Sequence, residues 1–264
     1  MEILSTRIDI ELFFRQIATA KDRLLLLDYD GTLAPFCVDR DRAFPYPGVI
    51  EILSDMHQKK LSRIVIITGR AVKDLTPLLD IEPLPEIWGS HGWEYLSSNG
   101  EYVITSPDPA TQQRLSQVKA HLSSLSLMPY CEQKPVNLAL HWRGLSSDIA
   151  TSIKSQVIGY WEEIEKVSNL RIHYFDGGME MRIEGKDKGT AVQSIIYNVE
   201  PNTPIAYLGD DITDEDAFQV LSERALNVLV RKELRSTYAD IWIKPPEELT
   251  EFLYRWKSSC LEGS

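Results

Sequence analysis

The stretch LLLLDYDGTL, residues 24–33, delivers two carboxylates, Asp28 and Asp30, at the end of a run of four leucines. A short continuous apolar run reads as a strand buried on both faces, as in a parallel sheet covered by helices. The aspartates then stand at the carboxyl end of that strand. Gly31 and Thr32 follow directly, and a glycine there lets the backbone turn sharply and turn N–H groups toward an anion.

Two more segments repeat the pattern. RIVIITGR, residues 63–70, ends in Thr68, Gly69 and Arg70, and IAYLGDDITDEDAF, residues 205–218, carries Gly209, Asp210 and Asp211 after its apolar run. Ligands of open α/β sheets bind in the crevice outside the carboxyl ends of the strands, so three ends far apart in sequence are expected to meet at one site. GKDKGTAVQSII, from Gly185, places Lys186 and Lys188 ahead of a helical stretch. One of them can supply the positive charge that the aspartates lack. The expected fold is α/β, a doubly wound parallel sheet.

These residue types suit phosphoryl transfer. A carboxylate such as Asp28 can attack phosphorus and form an aspartyl phosphate, splitting one difficult displacement into two easier ones. Asp30, two residues on and on the same side of the strand end, can protonate the leaving alcohol and then activate water. Clustered carboxylates repel a phosphate and each other, so a cation is needed. Mg²⁺, held by one or two carboxylates and several waters, is the usual solution. Asp28, the backbone carbonyl of Asp30, and Asp210 are the expected metal ligands. The Thr68 hydroxyl and the Lys188 ammonium are expected to hold non-bridging phosphoryl oxygens, with Gly69 and Arg70 assigned to substrate binding.

D-Y-D-G-T-L, T-G-R, D-K-G and G-D-D-x-T-D-E-D-A-F together resemble the four motifs of the haloacid dehalogenase superfamily of phosphatases. More narrowly, the chain is similar to the trehalose-6-phosphate phosphatases. That narrower likeness rests on Tyr29, on G-S-H-G at 89–92, on Glu132 and Lys134 in E-x-K, on H-W-R at 141–143, and on Glu180. The resemblance implies an aspartyl-phosphate mechanism, a Mg²⁺ cofactor and a Rossmann-like core with an inserted, smaller α/β cap domain. It also implies that Glu132, Lys134, Arg143 and Glu180 hydrogen-bond the sugar, for which charged forks and carboxylates are suited. In the D-K-G context Lys188 is the functional lysine and Lys186 the bystander.

Spacing points to the same insertion. Roughly 120 residues separate Thr68 from Lys188, and a structureless loop of that length is improbable. The periodicity predicts helices over 111–125 and from Ser146, a strand from Val136, and a closing pair of strands, LRIHYF and MEMRIE, around Gly177 and Gly178. The expected division is a core of residues 1–105 and 183–264 with a substrate-specificity cap at 106–182. Closure over a site is a common reason for such an insertion.

Composition sets further bounds. With 28 basic and 39 acidic side chains the net charge is −11, which argues against nucleic acid or an anionic membrane surface as partner. No apolar stretch approaches the roughly 18 residues that span a bilayer, and MEILSTRIDIELFFRQ lacks the basic-then-apolar order of a secretory signal. A cytoplasmic location is expected. Cys37, Cys131 and Cys260 form an odd, widely spaced set without metal-ligand spacing, so no disulfide framework is implied. No two of the five histidines have such spacing either, which excludes zinc.

Several residues admit two readings. Asp211, Asp214 and Glu215 can support a metal or form a helix N-terminus with a capping box. His91 and His141 can touch substrate or be structural, and Trp88, Trp93 and Trp142 can stack on a sugar or fill the core. The reading that joins these observations is a Mg²⁺-dependent phosphohydrolase acting on trehalose 6-phosphate. Its partners are a small-molecule sugar phosphate and, by analogy, a separate glycosyl-phosphate synthase; a monomer is expected. The alternatives are phosphatases of glucosylglycerol phosphate, mannosyl-phosphoglycerate or sucrose phosphate, a phosphosugar mutase, and a non-catalytic sugar-phosphate sensor. Asp30 as a competent base argues against the mutase and the sensor.

Overall fold

The computed structural model describes residues 1–175 and 177–262. Its strands are β1 (Glu2–Ile3), β2 (Leu24–Leu27), β3 (Arg63–Ile67), β4 (Glu86–Gly89), β5 (Glu94–Leu96), β6 (Tyr102–Ile104), β7 (Cys131–Gln133), β8 (Asn137–His141), β9 (Leu170–Phe175), β10 (Gly178–Ile183), β11 (Ile205–Gly209), β12 (Leu226–Val230) and β13 (Ile241–Ile243). Its α-helices are α1 (Ile10–Thr19), α2 (Val49–Gln58), α3 (Val72–Leu75), α4 (Pro109–Ser124), α5 (Ser147–Lys166), α6 (Lys188–Ile196), α7 (Ile212–Leu221) and α8 (Glu247–Glu262). The chain divides into two compact units, residues 1–103 with 187–264, and residues 104–186.

In the first unit, the described residues form one nine-stranded sheet in the order β1-β13-β12-β11-β2-β3-β4-β5-β6. The six strands from β13 to β4 run parallel, with β1 and β5 antiparallel to their neighbours. This is the doubly wound sheet read from the sequence. All four leucines of β2 are buried, and they alternate between faces. Leu25 and Leu27 pack with Phe13 and Phe14 of α1, Leu53 of α2 and Phe252 and Trp256 of α8. Leu24 and Leu26 pack with Val192 and Ile195 of α6 and Phe218 and Leu221 of α7. Each such leucine contributes about 1.5–3 kcal/mol by burial, so β2 is held at the sheet centre from both faces and the backbone that follows it is fixed in place.

In the second unit a four-stranded antiparallel sheet, β7-β8-β10-β9, carries α4 and α5. Leu138 and Leu140 of β8 pair with Met181 and Met179 of β10. All four are buried, as are Val118 and Leu122 of α4 and Val157 and Trp161 of α5. By the two-residue alternation of strands, Asn137 and Ala139 of β8, Glu132 of β7 and Glu180 of β10 lie on the opposite face. Strand β7, which holds Glu132, is an element the sequence pattern did not announce. This unit spans residues 104–186, and near its two ends Lys186 Nζ donates to Thr105 Oγ1 at 2.8 Å. Among the described residues, no helix is long and apolar enough to cross a membrane.

Candidate functional site

Asp28 follows the last leucine of β2, and its N–H donates to the Leu208 carbonyl of β11 at 2.9 Å. Lys188 is the first residue of α6, behind the Asp187 N-cap and its capping box with Thr190. Lys188 Nζ donates to Asp28 Oδ1 at 2.6 Å and to Asp214 Oδ1 at 2.7 Å. The Thr32 hydroxyl donates to Asp28 Oδ2 at 2.9 Å. Two donors therefore fix the Asp28 carboxylate.

Asp210 stands just beyond β11. Ligand atoms of Asp28, Asp210 and Asp214 lie within 4.8 Å of one another. Gly31 makes the approach of Asp210 possible: at φ +86°, a Cβ there would lie 2.2 Å from Asp210 Oδ2. The two neighbouring acids differ in what satisfies them. Asp214 Oδ1 accepts from Lys188 and from the Tyr207 hydroxyl at 2.6 Å, and its Oδ2 accepts from the N–H groups of Asp210 and Asp211 at 3.1 and 3.0 Å. Among the described residues no hydrogen-bond donor reaches the Asp210 carboxylate. Asp211 caps α7 with its side chain, and Glu215 pairs with Arg235 and accepts from the Tyr238 N–H. Asp211 and Asp214 thus form the capping box of α7, and Glu215 is engaged in a partly buried ion pair.

Three buried carboxylates share one ammonium, and their acidities follow. Burial, opposed by Lys188 and reinforced by Asp214, pushes Asp28 up from 3.8 to about 7. Burial and the charges of Asp28, Asp214 and Asp211 push Asp210 well above the usual carboxylate range. Burial disfavours the Lys188 ammonium, but Asp214 and Asp28 outweigh it and hold Lys188 charged. Such a donor set, oxygen-only and short of positive charge, fits a hard divalent cation. Asp28 and Asp210 would hold it. The Asp30 carbonyl, which accepts no backbone hydrogen bond among the described residues, is a third oxygen of the right kind.

The Asp30 carboxylate is held by Arg70. Nε donates to Asp30 Oδ2 at 2.7 Å and Nη2 to Oδ1 at 2.6 Å, a bidentate pair. Nη1 donates to the Arg40 carbonyl at 2.9 Å, and the guanidinium carbon sits 5.5 Å from the centre of the Tyr29 ring. Arg70, read from sequence as a substrate ligand, thus turns its fork to the candidate acid–base residue. Thr68 is buried at the end of β3; its Oγ1 accepts from the Arg70 N–H at 3.1 Å. Gly69 is needed because a Cβ would lie 2.7 Å from His91 Nε2.

In the inserted unit, Lys134 Nζ donates to Glu180 Oε2 at 3.1 Å and lies 3.7 Å from Glu132 Oε2. Asn137 Nδ2 donates to Glu180 Oε1 at 3.0 Å, and His141 Nε2 is 2.9 Å from Glu132 Oε2. Glu132, Lys134 and Glu180 therefore form one cluster. Arg143 lies just past β8, where its N–H donates to the Gly177 carbonyl at 3.1 Å. On the same polar face the buried Asn137 Oδ1 and Arg182 Nε have no hydrogen-bond partner among the described residues.

Sequence reasoning missed Thr32 and Tyr207 as partners of the acidic cluster. The hydroxyl after D-Y-D-G was a usable signal for Thr32. Tyr207, inside an apolar strand, gave none.

The family model for trehalose-phosphatase matches residues 26–240. A trehalose-phosphate phosphatase of Mycobacterium bovis is 31% identical over 253 residues, covering 89% of this chain and 61% of that protein. Trehalose-phosphate phosphatase B of Arabidopsis thaliana is 30% identical over 267 residues, covering 91% of this chain and 68% of that one. The chain thus spans about 61% of the length of the mycobacterial relatives. The C-terminal domain of the Candida albicans trehalose-6-phosphate phosphatase has the same fold, with TM-score 0.81, 22% identity and 98% of both chains covered. A haloacid dehalogenase-like hydrolase from Bacteroides thetaiotaomicron superposes with TM-score 0.65 at 14% identity, over 89% of this chain and 99% of that one.

Proposed function

The chain belongs to the trehalose-phosphatase family, and from that premise we propose that it is a Mg²⁺-dependent phosphohydrolase converting trehalose 6-phosphate to trehalose and phosphate. The observation that carries the chemistry is the buried Asp28 carboxylate, held between Lys188 and Thr32 beside an Asp210 whose carboxylate no donor among the described residues reaches.

In the first step an Asp28 oxygen forms a bond to phosphorus while the ester P–O bond breaks, and Asp30 gives its proton to the departing sugar oxygen. In the second, Asp30 takes a proton from water as the water oxygen attacks the same phosphorus and the Asp28–phosphorus bond breaks. Phosphate leaves, and Asp28 and Asp30 return to their starting states. Lys188 and the Thr68 hydroxyl stabilise charge on the non-bridging oxygens. Arg70 keeps both oxygens of Asp30 in one orientation. Asp28, Asp210 and the Asp30 carbonyl would hold Mg²⁺, which would supply positive charge against the phosphoryl oxygens. The inserted unit acts as the specificity cap: Glu132, Lys134, Glu180 and Arg143 hydrogen-bond sugar hydroxyls. Asn137 Oδ1 and Arg182 Nε on that polar face, which have no partner among the described residues, support this reading, since buried polar groups are rarely left unpaired.

The test is phosphate release with Mg²⁺ from trehalose 6-phosphate, glucosylglycerol phosphate, mannosyl-phosphoglycerate, sucrose 6-phosphate and glucose 6-phosphate. Preference for trehalose 6-phosphate is the expected result. Preference for another member would refute the sugar assignment and leave the phosphoryl chemistry standing; release from none would refute both.

A further inference from the structure

A cavity of about 260 Å³ opens at the amino ends of β2 and β3, among them Lys21, Arg23, Lys60 and Arg63. The carboxylates Asp28 and Asp210 follow the opposite ends of their strands, so this cavity is separate from the phosphoryl site. The acids on its wall are Asp22 and Glu200. Positive groups thus outnumber negative ones here, in a chain whose net charge is −11.

The pairing of these cations sharpens the point. Arg63 is neutralised by a bidentate contact to Glu86, at 3.1 and 2.7 Å. Arg23 is 9% exposed, and its donors go to the carbonyls of Ile17, Leu61 and Ala18 at 2.6, 3.4 and 3.4 Å. Among the described residues neither Arg23, Lys21 nor Lys60 meets a carboxylate. Carbonyl oxygens thus occupy the Arg23 fork without cancelling its charge, which adds to the positive potential of the cavity. Thr203, on the same wall and 7% exposed, offers a hydroxyl with no hydrogen-bond partner among the described residues.

Lys60 gives an independent sign. It has φ +53° at the end of α2, where its N–H donates to the His57 carbonyl and the Leu61 N–H to the Met56 carbonyl. That is the αL position of a Schellman motif, which glycine normally occupies because a side chain is strained there. A lysine in that conformation, on the cavity wall, points to a use for its charge.

We propose that this cavity is an oxyanion site that binds a phosphate group. The arginine forks are already engaged, so no bidentate grip on a planar carboxylate is on offer. What remains is lysine point charges and a hydroxyl donor, which suit a compact, multiply charged oxyanion. Free phosphate and the phosphate group of a small phosphorylated metabolite share this chemistry, and the proposal stands independently of the function assigned above.

The experiment is calorimetric titration of the full chain, in EDTA and low salt, with inorganic phosphate and separately with glucose 6-phosphate. Without a metal the carboxylate-rich site repels both, and the variants Lys60→Gly and Lys21→Ala locate any binding. One equivalent should bind, and the double variant should lose at least about tenfold in affinity, since two charge-assisted contacts disappear. Lys60→Gly should at the same time leave the melting temperature unchanged or raise it, because the αL strain is relieved; binding lost without unfolding identifies a site. Tighter binding of phosphate marks the free ion as the ligand, and tighter binding of the ester marks a metabolite. No binding by the unsubstituted chain, or undiminished binding by the double variant, overturns the proposal.

Discussion

Asp28 and Glu180 are carboxylates of equal seclusion, 3% and 4% exposed, in two different units of the chain. Their acidities move in opposite directions. Burial drives Asp28 up to about 7, because its one ammonium is shared with Asp214 and the charges of Asp214 and Asp30 push the same way as burial. Burial acts on Glu180 in the same sense, yet the cations of Lys134 and Arg182 outweigh it and hold Glu180 below its usual value. The local count of positive charge decides the sign, not depth. The first cluster is electrostatically incomplete and calls for a cation. The second is self-compensated and offers a set of ordered hydrogen-bonding groups.

The largest expected effect comes from taking away the nucleophile. Asp28→Asn should lower turnover by at least about 10³-fold; near-normal activity in a folded variant would remove Asp28 from the chemistry. The same substitution should stabilise the metal-free protein. With a folded-state pKa near 7 against an unfolded one of 3.8, the folded state binds the extra proton, so Asp28 erodes stability as pH rises between these values. Its contribution is at its most unfavourable above pH 7. Melting curves in EDTA from pH 5 to pH 8 should therefore diverge, with the variant gaining most at the high end.

Lys188→Met breaks the first cluster from the other side. It leaves Asp28 and Asp214 without their ammonium, and breaking such a buried pair costs about 3–5 kcal/mol. Loss of an oxyanion donor should also lower kcat by about 10²–10³-fold. Denaturant titration and steady-state kinetics read the two effects separately.

Metal addition tests the incompleteness itself. At a hundredfold excess over the dissociation constant, Mg²⁺ should raise stability by about 2.7 kcal/mol, and EDTA should abolish turnover. Asp210→Asn should erase most of that shift while raising the melting temperature of the metal-free protein. An equal Mg²⁺ response in Asp210→Asn would place the ion elsewhere.

The smallest effect belongs to the compensated cluster. Glu180→Gln keeps the shape but removes the charge facing Lys134 and Arg182, at a cost of about 1–3 kcal/mol in stability. For a sugar contact, KM should rise while kcat with Asp28 intact changes only a few-fold. A kcat loss comparable to that of Asp28→Asn would erase the distinction between the two clusters.

What the sequence made legible was local. Four leucines followed by D-Y-D-G-T identify a central strand and its exit turn, and the intervals between such runs locate the insertion, because apolar run length and turn chemistry need no knowledge of partners. Pairings across the fold were hidden. Arg70 meets Asp30, forty residues away, through the adjacency of β2 and β3, and sequence reasoning assigned that fork to substrate. The four donors that meet Asp214, two of them the side chains of Lys188 and Tyr207, were equally out of reach of a local reading. Strand β7 is three residues long, too short for alternation to announce it.

The account turns on a bond between Asp28 and phosphorus. The most direct measurement is mass spectrometry of peptides from enzyme acid-quenched during turnover of trehalose 6-phosphate with Mg²⁺. The expected result is one phosphoryl group on the peptide carrying Asp28, absent in EDTA and in Asp28→Asn. A phosphoryl group on another residue, or active enzyme with no adduct and undiminished turnover by Asp28→Asn, would contradict it.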